Sequence, residues 1–204
     1  MLKIRKTKRT KQLELVNENG EVVQKFCRSC QKMKLAQDFP KNSDKNLRAD
    51  CQECFKEKRS EYYKANKDKK VVYRQRERAV SMGLPSQFTE EDYLKLKAFS
   101  NGRCMLSGEA VTLQIDHVQA VSKGWLGSTT GNMILVSEKV NQAKRDKSLF
   151  EFLKSEKAKE LIDSEQLIRT LKYLAKANEM KLAQYIQFLQ DAEELAQKSK
   201  EYWR

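Results

Sequence analysis

The chemistry open to this chain starts from its one histidine. His117 follows Asp116 at the end of a β-like run from Val111 to Val118. An imidazole titrates near the working pH, so it can take a proton from water. A lone histidine is more often structural or on the surface, so its neighbours must carry the case. Asn132 comes fifteen residues later and opens a second apolar run, Met133 to Val136; Asn141 comes nine residues after that. Ser137 can cap a short helix. On it Asn141, Lys144 and Arg145 stand at i, i+3 and i+4 and project together. Strand, loop, strand and helix then bring Asp116, His117 and Asn141 into one cleft. Asp116 offers a hard anionic oxygen for a divalent cation, and Asn141 a neutral carbonyl oxygen. Lys144 is a candidate phosphate contact and Arg145 a weaker one. In a regular strand Asp116 and His117 face opposite ways, so the strand must end or bulge there.

A second constellation is built from sulfur. Four of the five cysteines fall as Cys27-Arg-Ser-Cys30 and Cys51-Gln-Glu-Cys54, with twenty residues between the pairs. Two residues between thiols let one turn present both sulfurs to a tetrahedral Zn²⁺. Four protein ligands leave no position for water, so this zinc is structural rather than catalytic. It stabilises a knuckle too small to fold alone.

The elements that must position these groups can be read around them. Residues 1–12 hold six Lys and Arg and no acid, and read as a flexible basic arm. The alternating runs on either side of Asn19-Gly20 predict a tight hairpin whose two turn positions both need positive φ. Residues 55–80 predict one charged helical stretch, with ten basic residues against four acidic ones and interleaved aromatics. Along it Arg59, Lys69, Lys70, Arg74, Arg76 and Arg78 are candidate DNA contacts. Gly83 and Pro85 end that stretch. Thr89, with Asp92 three residues on, opens a new helix that Asn101-Gly102 breaks. From about residue 148 the pattern is helical to the end. Leu167, Leu171 and Leu174 form one stripe, and Leu182, Ile186, Leu189 and Ala196 another.

The segment from Cys104 to Ser148 resembles the HNH (ββα-metal) endonuclease family. The matching elements are "CMLSG", "IDHV", the loop "SKGWLGSTTGN" and "NMILVSEKVNQAK". The order Asp-His, Asn, Asn is similar to the HNN variant of that family. The paired-cysteine knuckle before a basic helix resembles phage and mobile-element members. The resemblance implies hydrolysis of DNA phosphodiesters, leaving 5′-phosphate and 3′-hydroxyl ends. It implies His117 as general base, Asp116 and Asn141 as ligands of a catalytic Mg²⁺ or Mn²⁺, and Asn132 as the residue that shapes the loop and orients His117. The family's third motif residue is often His. Asn141 in that place gives oxygen-only ligation, which favours Mg²⁺ or Mn²⁺ over softer ions. Many members also hold a zinc inside the core through two cysteine pairs. Here only Cys104 stands there, with Ser107 and Val140 near the other places, so that zinc is expected to be absent and Cys104 to be a small buried hydrophobe.

The expected fold is α+β: a small zinc knuckle plus a ββα-metal core, with a largely helical linker and C-terminal extension. The expected division is a basic arm at 1–11, a DNA-binding module at 12–80, a linker at 81–88, the core at 89–148 and a helical extension at 149–204. Net charge is +13 in 204 residues. Residues 1–147 carry the whole excess, 31 Lys and Arg against 18 Asp and Glu. Such a surface faces a polyanion, here double-stranded DNA. There is no apolar run long enough for a membrane span and no apolar stretch after the basic start. A cytoplasmic, DNA-associated protein is therefore expected. One active site per chain implies nicking by a monomer or double-strand cutting by a homodimer. The alternative from another class is a zinc-stabilised DNA-binding regulator or recombination accessory without catalysis.

Overall fold

A computed structural model describes residues 1–8 and 10–202, without the side chains of residues 200 and 202; Arg9, Trp203 and Arg204 lie outside the described residues. The chain mixes helix and sheet, about half helical and 15% strand. It forms two compact units, Met1–Lys67 and Asp68–Arg204. The division falls a helix earlier than the 81–88 break read from the sequence. No helix among the described residues is long and apolar enough to cross a membrane.

The first unit is an antiparallel sheet in the order β1 (Lys3–Lys6), β2 (Leu13–Val16), β3 (Val22–Phe26) and β4 (Met33–Leu35), followed by helix α1 (Gln52–Ala65). The basic start is thus not a free arm. Lys3 to Lys6 pair with Val16 to Leu13 along the edge of β2, and Arg5 donates two hydrogen bonds to the buried Glu14. The β2–β3 hairpin forms, but its turn is wider than a two-residue one. Asn17 N–H donates to Glu21 O, and only Gly20 takes positive φ, at 80°. The Asn17 side chain accepts from Glu21 N–H, and the register slips between Leu15 and Val16.

The basic stretch 55–80 is two helices rather than one. α1 ends at Ala65, Asn66 caps it, and α2 runs Lys67–Ser81. Arg59 therefore belongs to the first unit, whereas Lys69, Lys70, Arg74, Arg76 and Arg78 stand on α2 in the second.

In the second unit, α3 (Glu90–Ser100) begins with the reciprocal Thr89–Asp92 capping box and ends on Asn101 in the left-handed conformation. Strand β5 (Leu113–His117) pairs antiparallel with β6 (Met133–Ser137), and α4 (Glu138–Lys144) follows. Every residue of β6 is buried, as an apolar run covered on both faces requires. Helices α5 (Leu149–Leu153), α6 (Glu156–Leu161), α7 (Ser164–Ala177) and α8 (Leu182–Tyr202) complete the unit. Leu171, Leu174, Tyr185 and Leu189 join β6 in one hydrophobic core. That core carries the β5–β6 pair and the loop between its strands.

Candidate functional site

The cysteines are brought together by the two ends of the first unit's fold. Cys27 and Cys30 sit on the turn leaving β3, where Gln31 takes a φ of 54° so that the chain can return as β4. Cys51 is the N-cap of α1 and Cys54 lies in its first turn. Their four sulfurs lie within 4.8 Å of one another. A tetrahedral zinc with bonds of about 2.3 Å sets its sulfurs about 3.8 Å apart, so the quartet fits with a small contraction. Cys27 and Cys51 are buried beside Phe39, with Leu47 packed against them. Burial pushes the Cys27 thiol up, but N–H donors from Cys51, Cys30 and Ser29 and the Cys30 thiol bring it down to about 6. Burial and its sulfur neighbours push Cys54 up to about 12. One sulfur is thus ready as thiolate, and a cation binding there would release protons from its neighbours. The four thiols can hold a zinc ion.

The second constellation gathers around the end of β5. The strand runs without a bulge, Asp116 opposite Ile134 and His117 opposite Met133, and it ends at His117. It neither ends nor bulges between the two residues, so the expected turning of Asp116 and His117 into one cleft with Asn141 does not occur. Asp116 and His117 accordingly face opposite sides.

On the Asp116 side lies α4, capped by Ser137 as its sequence predicts. Gln114 and Asp116 are two apart on β5 and share a face. Asn141 Nδ2 donates to Gln114 Oε1 at 2.6 Å, and Lys144 Nζ lies 2.9 Å from Asp116 Oδ2. The two contacts one turn apart lay α4 along that face. Lys144 is fully buried, which corrects its reading as a phosphate contact: its charge is spent on Asp116. Neither Lys144 Nζ nor Asp116 Oδ2 has another hydrogen-bond partner among the described residues, so charge alone holds the pair. Arg145 leaves the helix face as well. It is the C-cap, at a φ of 52°, and is exposed.

These groups fit a hard cation in part. The Asp116 side chain keeps 15% of its surface exposed, and Asn141, donating through nitrogen, leaves its carbonyl oxygen to accept. One anionic and one neutral oxygen suit a divalent ion whose other positions are filled by water. Lys144 competes for the same carboxylate.

On the other side, His117 is 2% exposed and its Nε2 lies 3.0 Å from Ser128 Oγ. Ser128 Oγ in turn lies 2.7 Å from the carbonyl oxygen of Gln75 on α2. A hydroxyl has one proton. A carbonyl can only accept, so that proton goes to Gln75 and the oxygen accepts from His117. The imidazole is therefore protonated on Nε2, and the lone pair is on Nδ1. Burial first, then the charges of Arg78 and Lys144, hold the His117 pKa down to about 3. The influence of Lys144 on both Asp116 and His117 brings the two sides of the strand end together electrostatically.

Asn132 supports this arrangement without touching it. Its Oδ1 accepts from Gln119 N–H at 2.8 Å, and its Nδ2 donates to the carbonyls of Gln119 and Gly127. The amide thus ties the chain just after His117 to the loop that brings in Ser128. Three further groups pin that loop. Pro85 O accepts from Ser128 N–H, and Phe88 N–H donates to Ser128 O; Tyr185 Oη donates to Gly131 O at 2.8 Å. Ser128, Gln75, Pro85 and Tyr185 carry no spacing signal, and sequence reasoning missed them. Cys104 is fully buried, with its sulfur accepting from Ser107 N–H. No family model matches the chain, and no curated protein matches it.

Proposed function

We propose that this chain is a metal-dependent endonuclease of the ββα-metal (HNH) kind acting on double-stranded DNA. The observation that carries the reading is the proton order Gln75–Ser128–His117, which leaves Nδ1 of a neutral imidazole as the base. Asp116 and Asn141 would hold the Mg²⁺, with Lys144 giving up part of its hold on the carboxylate. A bound Mg²⁺ supplies charge neutralisation at the scissile phosphate and the departing 3′-oxygen. Asn132 keeps the His117 backbone and the Ser128 loop in register. A base held near pH 3 is weak. A phosphate arriving beside the exposed Arg78 offsets one of the two charges that hold it there, which strengthens the base when substrate is present. Zinc in the cysteine quartet would hold the first unit and take no part in the reaction.

The second reading is a zinc-stabilised DNA-binding regulator or recombination accessory. What favours it is the Lys144–Asp116 pair, which neutralises the carboxylate before any cation arrives. Incubation of the zinc-loaded chain with supercoiled plasmid and Mg²⁺ separates the two. Nicked or linear product is expected from the parent. His117→Ala should lose roughly 10²–10⁴-fold in rate, the usual weight of a general base, while still binding duplex. Cleavage by His117→Ala at the parent rate rules out the mechanism.

A further inference from the structure

Most of the net charge lies in the smaller unit. Residues 1–67 hold eighteen Lys and Arg against nine Asp and Glu, a net of +9 out of +13. The same unit contains a concave cleft of about 1940 Å³ between its sheet, the 41–50 loop and α1. Ten cations and three carboxylates line it. The two buried carboxylates are already neutralised: Arg5 and Lys25 hold Glu14, and Arg28 and Lys58 hold Asp50. Lys6, Lys8, Lys41, Lys45, Arg48 and Arg59 also line the cleft, and none has a carboxylate partner among the described residues. All six are exposed. Like charges held in one concavity repel, and they persist in a fold when a polyanion is there to neutralise them. The two guanidinium groups among the six both lie over rings, Arg48 over Phe55 and Arg59 over Tyr63. Such stacking keeps a guanidinium flat and its N–H fork open to an anion.

We propose that this cleft is the principal docking site for the phosphodiester backbone of nucleic acid. It rests on the polyanion-facing part of the nuclease reading, and it moves the main contacts from α2 to the edge strand, the 41–50 loop and α1 of the first unit. A chain of phosphates laid along six unpaired cations releases counterions in proportion to the contacts made, whatever the base sequence.

The test uses the full chain, loaded with zinc and without Mg²⁺, and reads anisotropy of a labelled 20-base-pair duplex and of the matching single strand across a salt series. One variant carries Lys6→Gln, Lys41→Gln and Arg59→Gln. A control of equal charge loss carries Lys154→Gln, Lys157→Gln and Lys172→Gln on exposed positions of the second unit. The cleft variant is expected to bind at least about tenfold more weakly, with the log–log salt slope reduced by about 2.7 for duplex, roughly 0.9 for each lost phosphate contact. The control should keep the parent slope. Zinc content and melting temperature confirm that the cleft variant is folded. The proposal is overturned if that variant binds like the parent, if the control loses as much, or if an acidic polypeptide competes as well as nucleic acid. Plasmid cleavage is scored separately, so a chain that binds through the cleft and never cuts refutes the nuclease reading alone.

Discussion

Ser128 illustrates how one hydroxyl can set the chemistry of a ring. It gives its proton to Gln75 and so can only accept from His117, and the imidazole has no choice of tautomer. Removing the hydroxyl frees both tautomers and leaves a buried ring nitrogen unpaired. Ser128→Ala is therefore expected to cost roughly 1–3 kcal/mol in stability, as an orphaned buried polar group does. Its cleavage rate should also fall by roughly 10–100-fold, the usual weight of a group that orients a functional histidine. Single-turnover cleavage at a temperature where the variant is fully folded separates the two effects. A folded variant that cuts at the parent rate removes the tautomer argument. None of this was legible in the sequence. Ser128 and Gln75 are fifty-three positions apart and meet through a main-chain carbonyl, which every residue has. Lys144 misled for a related reason: its position on α4 was readable, but not the carboxylate waiting two strand positions from Gln114.

Elements hold the site through close approaches that tolerate no side chain. A Cβ on Gly127 would lie 1.9 Å from the Pro85 carbonyl oxygen, and one on Gly131 would lie 1.8 Å from the Asn178 amide. The first obstacle is backbone and cannot step aside, whereas the second is the end of a side chain. Gly127→Ala and Gly131→Ala should each lose roughly 1–3 kcal/mol, with Gly127→Ala at the upper end. Adding Asn178→Ala should restore much of the second loss and none of the first, as measured by urea denaturation. In the first unit, Glu14 on β2 makes the sheet sensitive to acid. Burial raises its pKa, but hydrogen bonds from Arg5 and Lys25, and their charges, bring it below the usual carboxylate range. A depressed folded pKa gives stability that is present above the unfolded value and lost as pH falls through the folded one. Acid unfolding of the parent should begin below about pH 4.5, and Glu14→Gln should remove part of that dependence; an identical acid profile would remove Glu14 as its source. At this scale much was readable, because caps and strands are local. Thr89 with Asp92, Asn101 and Ser137 each end or begin a helix where their side chains can reach the backbone. What failed was non-local. β1 forms because β2 offers an open edge, and the basic stretch breaks at Asn66 although no Gly or Pro marks the place.

Across the whole molecule, the two units have cores of unequal quality. The second unit buries a continuous apolar cluster from Val72 to Leu189. Among the described residues, the first has a cluster of Cys27, Phe39 and Cys51, with Val16 buried apart from it. So few residues remove little apolar surface from water, at roughly 25 cal/mol for each Å². That falls well short of the entropy of ordering 67 residues at about 1–2 kcal/mol each. The four thiols can hold a metal, and binding it would add folding free energy to this unit, as it does in small metal-binding domains. Both cysteine pairs announced this in the sequence, because their spacing is local within each pair. The thinness of the surrounding core became visible only once burial was known. Removing zinc with a chelator should unfold Met1–Lys67 and leave Asp68–Arg204 folded. Calorimetry of the parent would then change from two transitions to the higher one alone. Hydrogen exchange would lose protection in β1 to β4 while β5, β6 and α7 keep theirs. Cys51→Ser should reproduce that pattern without chelator, and adding Zn²⁺ should not reverse it. A first unit that stays protected after its zinc is gone would mean that the small apolar centre, with the buried Glu14–Lys25 pair across β2 and β3, is sufficient by itself.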